Sequence, residues 1–305
     1  MVRWAQRGDE SVVVHAVRHT PTSGLDPASI EIRPIATGPE RDACVALQRA
    51  TWGDDFTDVV PQSILKVSQR VGGVALGAFD AKGEMLGFVF GLTGVERGRI
   101  VHWSDMLAVA PRARNVGLGR RLKEEQRRIV REIGGDVVYW TFDPLVARNA
   151  HLNFNRLGAR LAEYVVDMYG ITDSVLHGGA PTDRIIVAWP TRDAEIDERL
   201  NEAARTLSSS DALSSQVVTD KWIDKTEGAS ILPHSVRVEV PLDGEQQLLD
   251  RSPDALTWRV SVRRGLLWAL GAGYSVSAFA YDRDGGRGYY LMTKSPRGAA
   301  NGRSS

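Results

Sequence analysis

The sequence has a single cysteine, no long apolar run and no net charge. Cys44 alone cannot form an internal disulfide or a cysteine-based metal cluster, and one thiol suits a reducing cytoplasm. No apolar segment approaches the roughly 18 residues of a membrane span. The apolar stretch 12–14 is too short for the core of a signal peptide. We therefore expect a cytoplasmic protein with no membrane partner and no metal.

The charges balance, with 38 basic and 38 acidic residues. A nucleic-acid-binding chain normally carries a basic excess, so we expect no nucleic-acid partner. Hydrophobic residues make up 43% of the 305 positions and charged residues 25%, as in an ordinary globular protein. This length allows one large domain or two small ones, as a monomer or a homodimer.

The most informative stretch runs from the apolar segment 107–109 through Pro111 into a turn with Arg114, Gly117 and Gly119. A long basic helix is predicted to follow. Glycines let a backbone approach an anion closely, and the first N–H groups of a helix have no partner and point at it. The stretch is a candidate phosphate site. In the alternative interpretation, the glycines only relieve crowding in a strand–turn–helix.

Two better-known phosphate loops do not fit this stretch. A P-loop would need lysine and then serine or threonine, where Arg120 and Arg121 stand. The dinucleotide-binding fingerprint would need a third glycine at Leu122. The pattern that remains, Arg-x-x-Gly-x-Gly at 114–119, resembles the coenzyme A (CoA) loop of the GNAT superfamily of N-acyltransferases.

The basic helix is predicted from an apolar stripe at Leu118, Leu122, Ile129 and Ile133. Its remaining faces should be solvated for the most part. They carry Arg120, Arg121, Lys123, Arg127, Arg128 and Arg131.

The order of predicted elements between 29 and 190 is β-α-α-β-β-β-α-β-α-β-β, which is also the order of GNAT domains. A GNAT-like mixed α/β (α+β) sheet with helices on both faces fits this order. One of the predicted helices begins at Pro61 and has Ile64, Leu65, Val67 and Val71 as its apolar face. We expect a disordered arm at 1–28 before the acyltransferase domain at 29–190.

The rest of the chain is expected to hold a helix and linker at 191–234, an α/β segment at 235–294 and a disordered tail at 295–305. The α/β segment repeats the pattern of 136–189, namely strand, helix and two strands. Leu-Gly-Ala occurs at matching points, 157–159 and 270–272. The two units are either chance αβ units or a first half-domain and a decayed second one.

The resemblance implies an acyl-CoA co-substrate. It places the pantetheine arm on the strand before the loop and the pyrophosphate on the loop amides. The predicted CoA contacts are Leu107, Ala108, Val109, Arg114, Asn115, Val116, Gly117, Leu118, Gly119, Arg120, Asn149 and Phe154. Asn115 stands where the family commonly has glycine, and asparagine tolerates left-handed backbone angles better than most residues.

Two side chains are candidates for the general base. Asp105 occupies a position where relatives commonly carry an acidic residue, and His102 lies three residues before it. A histidine needs little change of pKa to act near neutral pH, whereas an aspartate needs a raised pKa or a water relay. Alternatively, each is a strand residue that faces solvent or bonds a neighbouring strand.

The family's usual acid is a tyrosine that protonates the departing thiolate. Counting back from Gly158, this tyrosine falls at Phe154, which has no proton to give, while Asn149 matches the family asparagine near CoA. His151, Asn155 or water could replace the tyrosine, or no acid is needed.

Three residues are predicted to contact the acceptor. Trp140 and Asp143 close the strand beside the acyl site, where Asp143 could hold an ammonium group or form a turn or helix cap. Trp52, with Phe56, forms either an aromatic lid or a hydrophobic anchor.

These features predict an acyl-CoA-dependent N-acyltransferase that acts on the amine of a small molecule, such as an amino acid. The acyl group is acetyl or a larger one such as succinyl. The alternatives are a non-catalytic CoA-binding or regulatory module and a protein N-acetyltransferase.

Overall fold

The computed structural model describes residues 26–54, 56–170, 181–208, 212–226 and 231–294. The tail at 295–305, and the expected arm up to residue 25, lie outside these ranges. Among the described residues, none of the helices has both the length and the apolar composition that a membrane span requires.

The described residues form eleven strands and eight α-helices. The strands are β1 Glu31–Pro34, β2 Val74–Phe79, β3 Met85–Glu96, β4 Arg99–Val109, β5 Val137–Phe142, β6 Arg160–Val165, β7 Arg184–Pro190, β8 Gln216–Val217, β9 Ser235–Pro241, β10 Tyr274–Asp282 and β11 Arg287–Lys294. The helices are α1 Gly38–Trp52, α2 Gln62–Arg70, α3 Leu118–Glu132, α4 Ala147–His151, α5 Asp193–Ser208, α6 Asp220–Thr226, α7 Gly244–Leu249 and α8 Pro253–Gly271.

The first sheet has seven strands in the order β1-β2-β3-β4-β5-β7-β6. Its neighbours are antiparallel except for β4 and β5, which are parallel. Strand β2 is buried along its whole length because helices cover both faces. Its Leu76 packs in the cluster that includes α3, and its Ala75 packs in the cluster that includes α1 and α2. The predicted mixed sheet with helices on both faces is confirmed.

Helix α1 begins with a capping box, in which the Thr37 hydroxyl accepts from the Glu40 N–H and the Glu40 carboxylate accepts from the Thr37 N–H. Helix α2 differs from its prediction. Pro61 is its N-cap residue and not its first helical residue, and only Leu65 of the predicted apolar face is buried. The other three predicted face residues, Ile64, Val67 and Val71, are exposed.

Helix α3 also buries a face that was predicted incorrectly. Leu118 and Leu122 are buried as expected, but Ile133 is exposed. Lys123 and Gln126, which the stripe left out, are buried against the first sheet. The helix therefore presents two polar side chains to the interior, and these bear on the candidate site.

The second sheet has four strands in the order β10-β11-β9-β8. Within it, β9-α8-β10-β11 has the strand order β9-β11-β10, and β5-α4-β6-β7 of the first sheet has the equivalent order β5-β7-β6. The predicted repeat of layout is therefore present. The Leu-Gly-Ala match does not hold in detail, because Gly158 is left-handed whereas Gly271 lies in α8 and the left-handed glycine there is Gly273.

The two sheets share one continuous apolar core. The Tyr290 hydroxyl donates to the Pro144 carbonyl at 2.7 Å, and the Asn155 side chain pairs with both backbone groups of Phe279. In the interval 191–234, expected to hold a helix and a linker, the described residues form α5, β8 and α6. Helix α5 packs so closely that a Cβ on Gly158 would lie 3.1 Å from the Ile196 carbonyl oxygen.

Candidate active site

The turn between β4 and α3 forms an open cradle at the N-terminus of α3. The Arg114 side chain donates to the Val109 carbonyl at 3.3 Å, which ties the turn back to the end of β4. Asn115 has a φ of +67°, the left-handed conformation that asparagine was expected to tolerate. Gly117, with a φ of +76°, is the N-cap residue of α3, and no side chain caps the helix. Its first N–H groups therefore remain available to a ligand.

The glycines of this turn do not relieve crowding. A Cβ on Gly117 would meet no atom within 4 Å. A Cβ on Gly119 would make only ordinary contacts, 3.6 Å from Leu107 Cδ2 and 3.8 Å from Val109 Cγ2. The crowding interpretation therefore has no support at these positions. Open space, an uncapped helix end and a positive helix dipole fit the pyrophosphate of CoA.

Beside the cradle, β4 and β5 separate to form a wedge. Their parallel pairing joins only residues 101–103 to 137–139. Strand β4 continues to Val109 and β5 to Phe142 beyond the last pair, Trp103 with Tyr139. Backbone groups of 107–109 that point away from β3 can thus bond an extended ligand. This is where the sequence predicts the pantetheine arm of CoA.

A β-bulge lies in β4 near the vertex of the wedge. Phe90 of β3 pairs with Met106 and Gly91 pairs with Ser104, so Asp105 has no partner on β3. In a regular strand, residues two positions apart lie on the same face of the sheet, but the bulge puts Ser104 and Met106 on opposite faces. Ser104 contacts α3, whereas Met106 packs in the cluster with α1 and α2.

The bulge places Asp105 on the side of the sheet that carries α1 and α2. The residue is exposed to solvent. Surrounding protein atoms nevertheless reduce its hydration, and this burial raises the pKa of the carboxyl group. The negative charge of Asp58, in the loop between α1 and α2, raises the pKa further. A carboxylate with a raised pKa is a better proton acceptor for an ammonium group.

His102, the other candidate base, is fully buried. Its Nε2 lies 3.0 Å from the Gln126 side-chain nitrogen and its Nδ1 lies 2.9 Å from the Thr93 hydroxyl, which donates to the Gly72 carbonyl. Both ring nitrogens are therefore used in a chain of hydrogen bonds that a neutral imidazole satisfies. Burial, and then the charge of Lys123, lower the pKa of His102 to about 4. The geometry favours Asp105 over His102 as the general base.

Lys123 of α3 reaches the vertex of the wedge. Its Nζ donates to the Ser104 hydroxyl at 2.7 Å and lies 4.0 Å from the centre of the Trp140 ring. Ser104 and Trp140 are the first residues of β4 and β5 beyond their last pair. The residue is only 7% exposed, and burial lowers the pKa of its ammonium group to about 7.

Part of this chain is similar to solved N-acetyltransferases. The ribosomal-protein-S18-alanine N-acetyltransferase of Escherichia coli is 20% identical, and the match covers 53% of this chain and 94% of that chain with a TM-score of 0.40. NAA60 of Arabidopsis thaliana, in complex with acetyl-CoA, is 15% identical over 53% and 99%, with a TM-score of 0.42. An N-acetyltransferase of Staphylococcus aureus Mu50 is 15% identical over 53% and 99%, also at 0.42.

No protein-family model and no curated protein matches the sequence.

Phe154 stands where the resemblance places the family tyrosine, and its contact with CoA stays a prediction. It is buried, with its ring 6.0 Å from that of Phe142 and 6.2 Å from that of Tyr290. Helix α4 continues into a π-helical turn at Leu152–Arg156. The wider turn shifts the side-chain register by about one residue. Asn149 is half-buried on α4, and its contact with CoA stays a prediction.

Asp143 is not free to hold a substrate ammonium group. Its Oδ1 accepts from the Leu145 N–H and from Arg259, and its Oδ2 accepts from Arg259 and Arg184. These four bonds use the whole acceptor capacity of a carboxylate. Trp140 is buried beside the wedge, and its indole N–H donates to the Asn153 side chain at 3.3 Å.

Trp52 and Phe56 lie on the opposite side of the sheet from α3. Their rings stack at 5.7 Å, and Trp52 meets Phe88 edge-on at 6.3 Å. These contacts are those of a hydrophobic anchor, and the role of a lid over the acceptor stays a prediction. An open depression of 590 Å³ lies beside Phe56 and is also lined by Val45 and Arg49 of α1.

The prediction from sequence missed Ser104 and Lys123. The sequences of β4 and α3 each carry a pattern that could have identified these two residues. His102 and Ser104 are polar at alternate positions of β4, which is apolar for the most part. Lys123 and Gln126 are three residues apart on α3 and share the face of Leu122. One polar pair follows the two-residue period of a strand and the other follows the spacing of one helix face. Together they indicate a polar interface between β4 and α3.

Proposed function

We propose that the chain is an acyl-CoA-dependent N-acyltransferase that acylates the amine of a small molecule, such as an amino acid. The observation that carries the proposal is the uncapped, glycine-bearing N-terminus of α3 directly beside the wedge between β4 and β5. The first provides a site for a pyrophosphate, and the second provides a slot for an extended arm that leads to Asp105.

Each part of the site has its own role in acyl transfer. The turn 114–117 and the first N–H groups of α3 bind the pyrophosphate. The backbone of 107–109 orients the pantetheine arm, so that the thioester lies near the bulge. Asp105 accepts a proton from the acceptor ammonium, directly or through water, and frees the amine to attack the thioester carbonyl. The C–N bond forms and the C–S bond breaks, and CoA leaves as a thiolate that takes up the proton lost by the acylated nitrogen. Backbone groups at the bulge that lack a partner on β3 can donate to the oxygen on which charge develops.

A small acceptor is favoured over a protein by the position of α8. Its Arg259 and Arg263 form ion pairs with Asp143 at the end of β5 and with Asp183 before β7. Helix α8 therefore occupies strand ends beside the wedge, which leaves less open edge for an extended peptide.

One observation favours the second candidate function, a non-catalytic CoA-binding module. Phe154, which replaces the tyrosine expected from the resemblance, is a core residue. Binding of CoA without any transfer would agree with that function.

The test is a screen of pooled amines, amino acids and short peptides with acetyl-CoA and succinyl-CoA, read by mass spectrometry. The proposal predicts N-acylated small amines and release of CoA, both lost with Asp105→Asn. Acylated peptides without acylated small amines would indicate a protein acyltransferase. CoA binding with no acylated product would indicate the module.

A further inference from the structure

The vertex of the wedge holds a buried cation. Lys123 Nζ bridges the two strands at the point where they part, through Ser104 on β4 and Trp140 on β5. The Lys123 side chain extends from α3 into the buried layer between α3 and the first sheet. The buried imidazole of His102 lies in the same layer, and the charge of Lys123 helps to lower its pKa.

Among the residues that the structure describes, this cation has no carboxylate partner. None of the ion pairs formed by the described residues includes Lys123, although nineteen such pairs occur. An ammonium group has three donors. Among the described residues, the Ser104 hydroxyl accepts from one of them, and the face of the Trp140 ring lies 4.0 Å from Nζ without offering a hydrogen-bond acceptor of oxygen or nitrogen. A buried, almost unpaired ammonium is costly unless an anion reaches it. Burial of the ammonium group also lowers the pKa of Lys123.

The direction in which the wedge narrows determines which part of a bound ligand lies nearest to Lys123. The cradle lies at the open end, past Val109, and the vertex lies at Ser104, five residues back along β4. A pantetheine arm that starts at the cradle and follows β4 backwards brings the thioester to the bulge at Asp105. The acyl group beyond the thioester then continues toward the vertex.

We propose that Lys123 binds the far carboxylate of a dicarboxylic acyl group, so that the preferred donor is the CoA thioester of a short dicarboxylic acid. This inference rests on the proposed binding of acyl-CoA in the wedge. The carboxylate supplies the missing acceptors of Lys123, and the Ser104 hydroxyl can donate its own hydrogen to the same anion. An acyl group of similar length that ends in a methyl group leaves the ammonium unpaired.

The test compares donors that differ mainly at their far end. Dissociation constants of succinyl-CoA and butyryl-CoA are measured by calorimetry for the native chain and for Lys123→Met. A charge-assisted hydrogen bond is worth about 1.5–3 kcal/mol, so succinyl-CoA should bind the native chain about 10- to 100-fold more tightly. In Lys123→Met the two dissociation constants should be equal. Their ratio stays the same even if part of the variant protein is unfolded.

The matched control is Lys82→Met, because Lys82 is an exposed lysine in the turn between β2 and β3. It should retain the native ratio. Equal affinities in the native chain, or an unchanged ratio in Lys123→Met, would overturn the inference while leaving CoA binding intact. A selective binder that transfers no acyl group would contradict the proposed enzymatic function and support the inference. If no CoA thioester binds, both proposals fail.

Discussion

Asp143, at the end of β5, accepts two hydrogen bonds from the Arg259 guanidinium of α8, 116 positions later in the chain, at 2.8 and 2.6 Å. The Arg259 side chain is 2% exposed and that of Asp143 is 11% exposed. The pair joins the C-terminal segment to the strand that forms one wall of the wedge. It also explains why Asp143 is unavailable to an acceptor.

Removal of Arg259 should destabilise the protein strongly. Arg259→Met leaves the buried Asp143 carboxylate with Arg184 as its remaining cation, and loss of one partner of a buried pair costs about 3 kcal/mol. The free energy of unfolding, from urea denaturation, measures the loss. The double variant Asp143→Asn/Arg259→Met should recover part of it, because no carboxylate is left without Arg259, and Arg184 keeps the Asp183 carbonyl as an acceptor.

Arg264→Met is the matched control on the same helix. Arg264 is half-exposed and pairs with Asp220 and Asp224, which are also exposed. Such surface pairs contribute about 1 kcal/mol or less. Equal losses for Arg259→Met and Arg264→Met would contradict a special role of the buried pair.

Asp105→Asn should lower kcat by about 10²- to 10⁴-fold, the usual contribution of a general base. The amide keeps the size of the side chain but accepts no proton at neutral pH. Full activity in this variant would exclude Asp105 as the base.

Asp58→Asn should shift the pH profile rather than abolish activity. Because the charge of Asp58 raises the pKa of Asp105, its removal lowers that pKa. The acid limb of kcat/KM should therefore move to lower pH. An acid limb that stays in place would show that another group controls it.

The stability of the native chain should depend on pH through Lys123. Its folded pKa is about 7, and unfolding returns it to about 10.4. Between these values the unfolded chain binds a proton that the folded chain lacks, so stability rises with pH by at most about 1.4 kcal/mol per pH unit. Lys123→Met lacks this contribution.

Urea denaturation at several pH values above 7 measures the effect as the difference between the native chain and Lys123→Met. Lys82→Met should follow the native chain, because Lys82 is exposed in the folded protein. Parallel curves for the native chain and Lys123→Met would show that Lys123 keeps an ordinary pKa.

The layers of the fold were predictable because each element carries its own signal. The loop 114–119 is a local pattern, and together with the order of the predicted elements between 29 and 190 it predicted the mixed sheet. Helix α2 was harder, since only its contact with the sheet decides that Leu65 and Ser68 are buried while Val67 is exposed.

The interior of the candidate site was less predictable for the same reason. The ion pair of Asp143 depends on a helix that folds onto β5 from more than a hundred residues away. The burial of Lys123 depends on how far β4 and β5 stay paired, which composition does not reveal. The bulge at Asp105 is a mismatch between two strands, and neither strand shows it alone.

The claim that the N-terminus of α3 binds the pyrophosphate of an acyl-CoA is tested most directly by calorimetric titration of CoA into the native chain, Gly119→Ala and Gly119→Asp. An aspartate in the first turn favours the helix dipole, so Gly119→Asp should fold at least as stably as Gly119→Ala. Its charge should weaken CoA binding by about tenfold or more relative to Gly119→Ala, through repulsion of the phosphates. Equal affinity in the two variants, or no CoA binding by the native chain, would contradict the account.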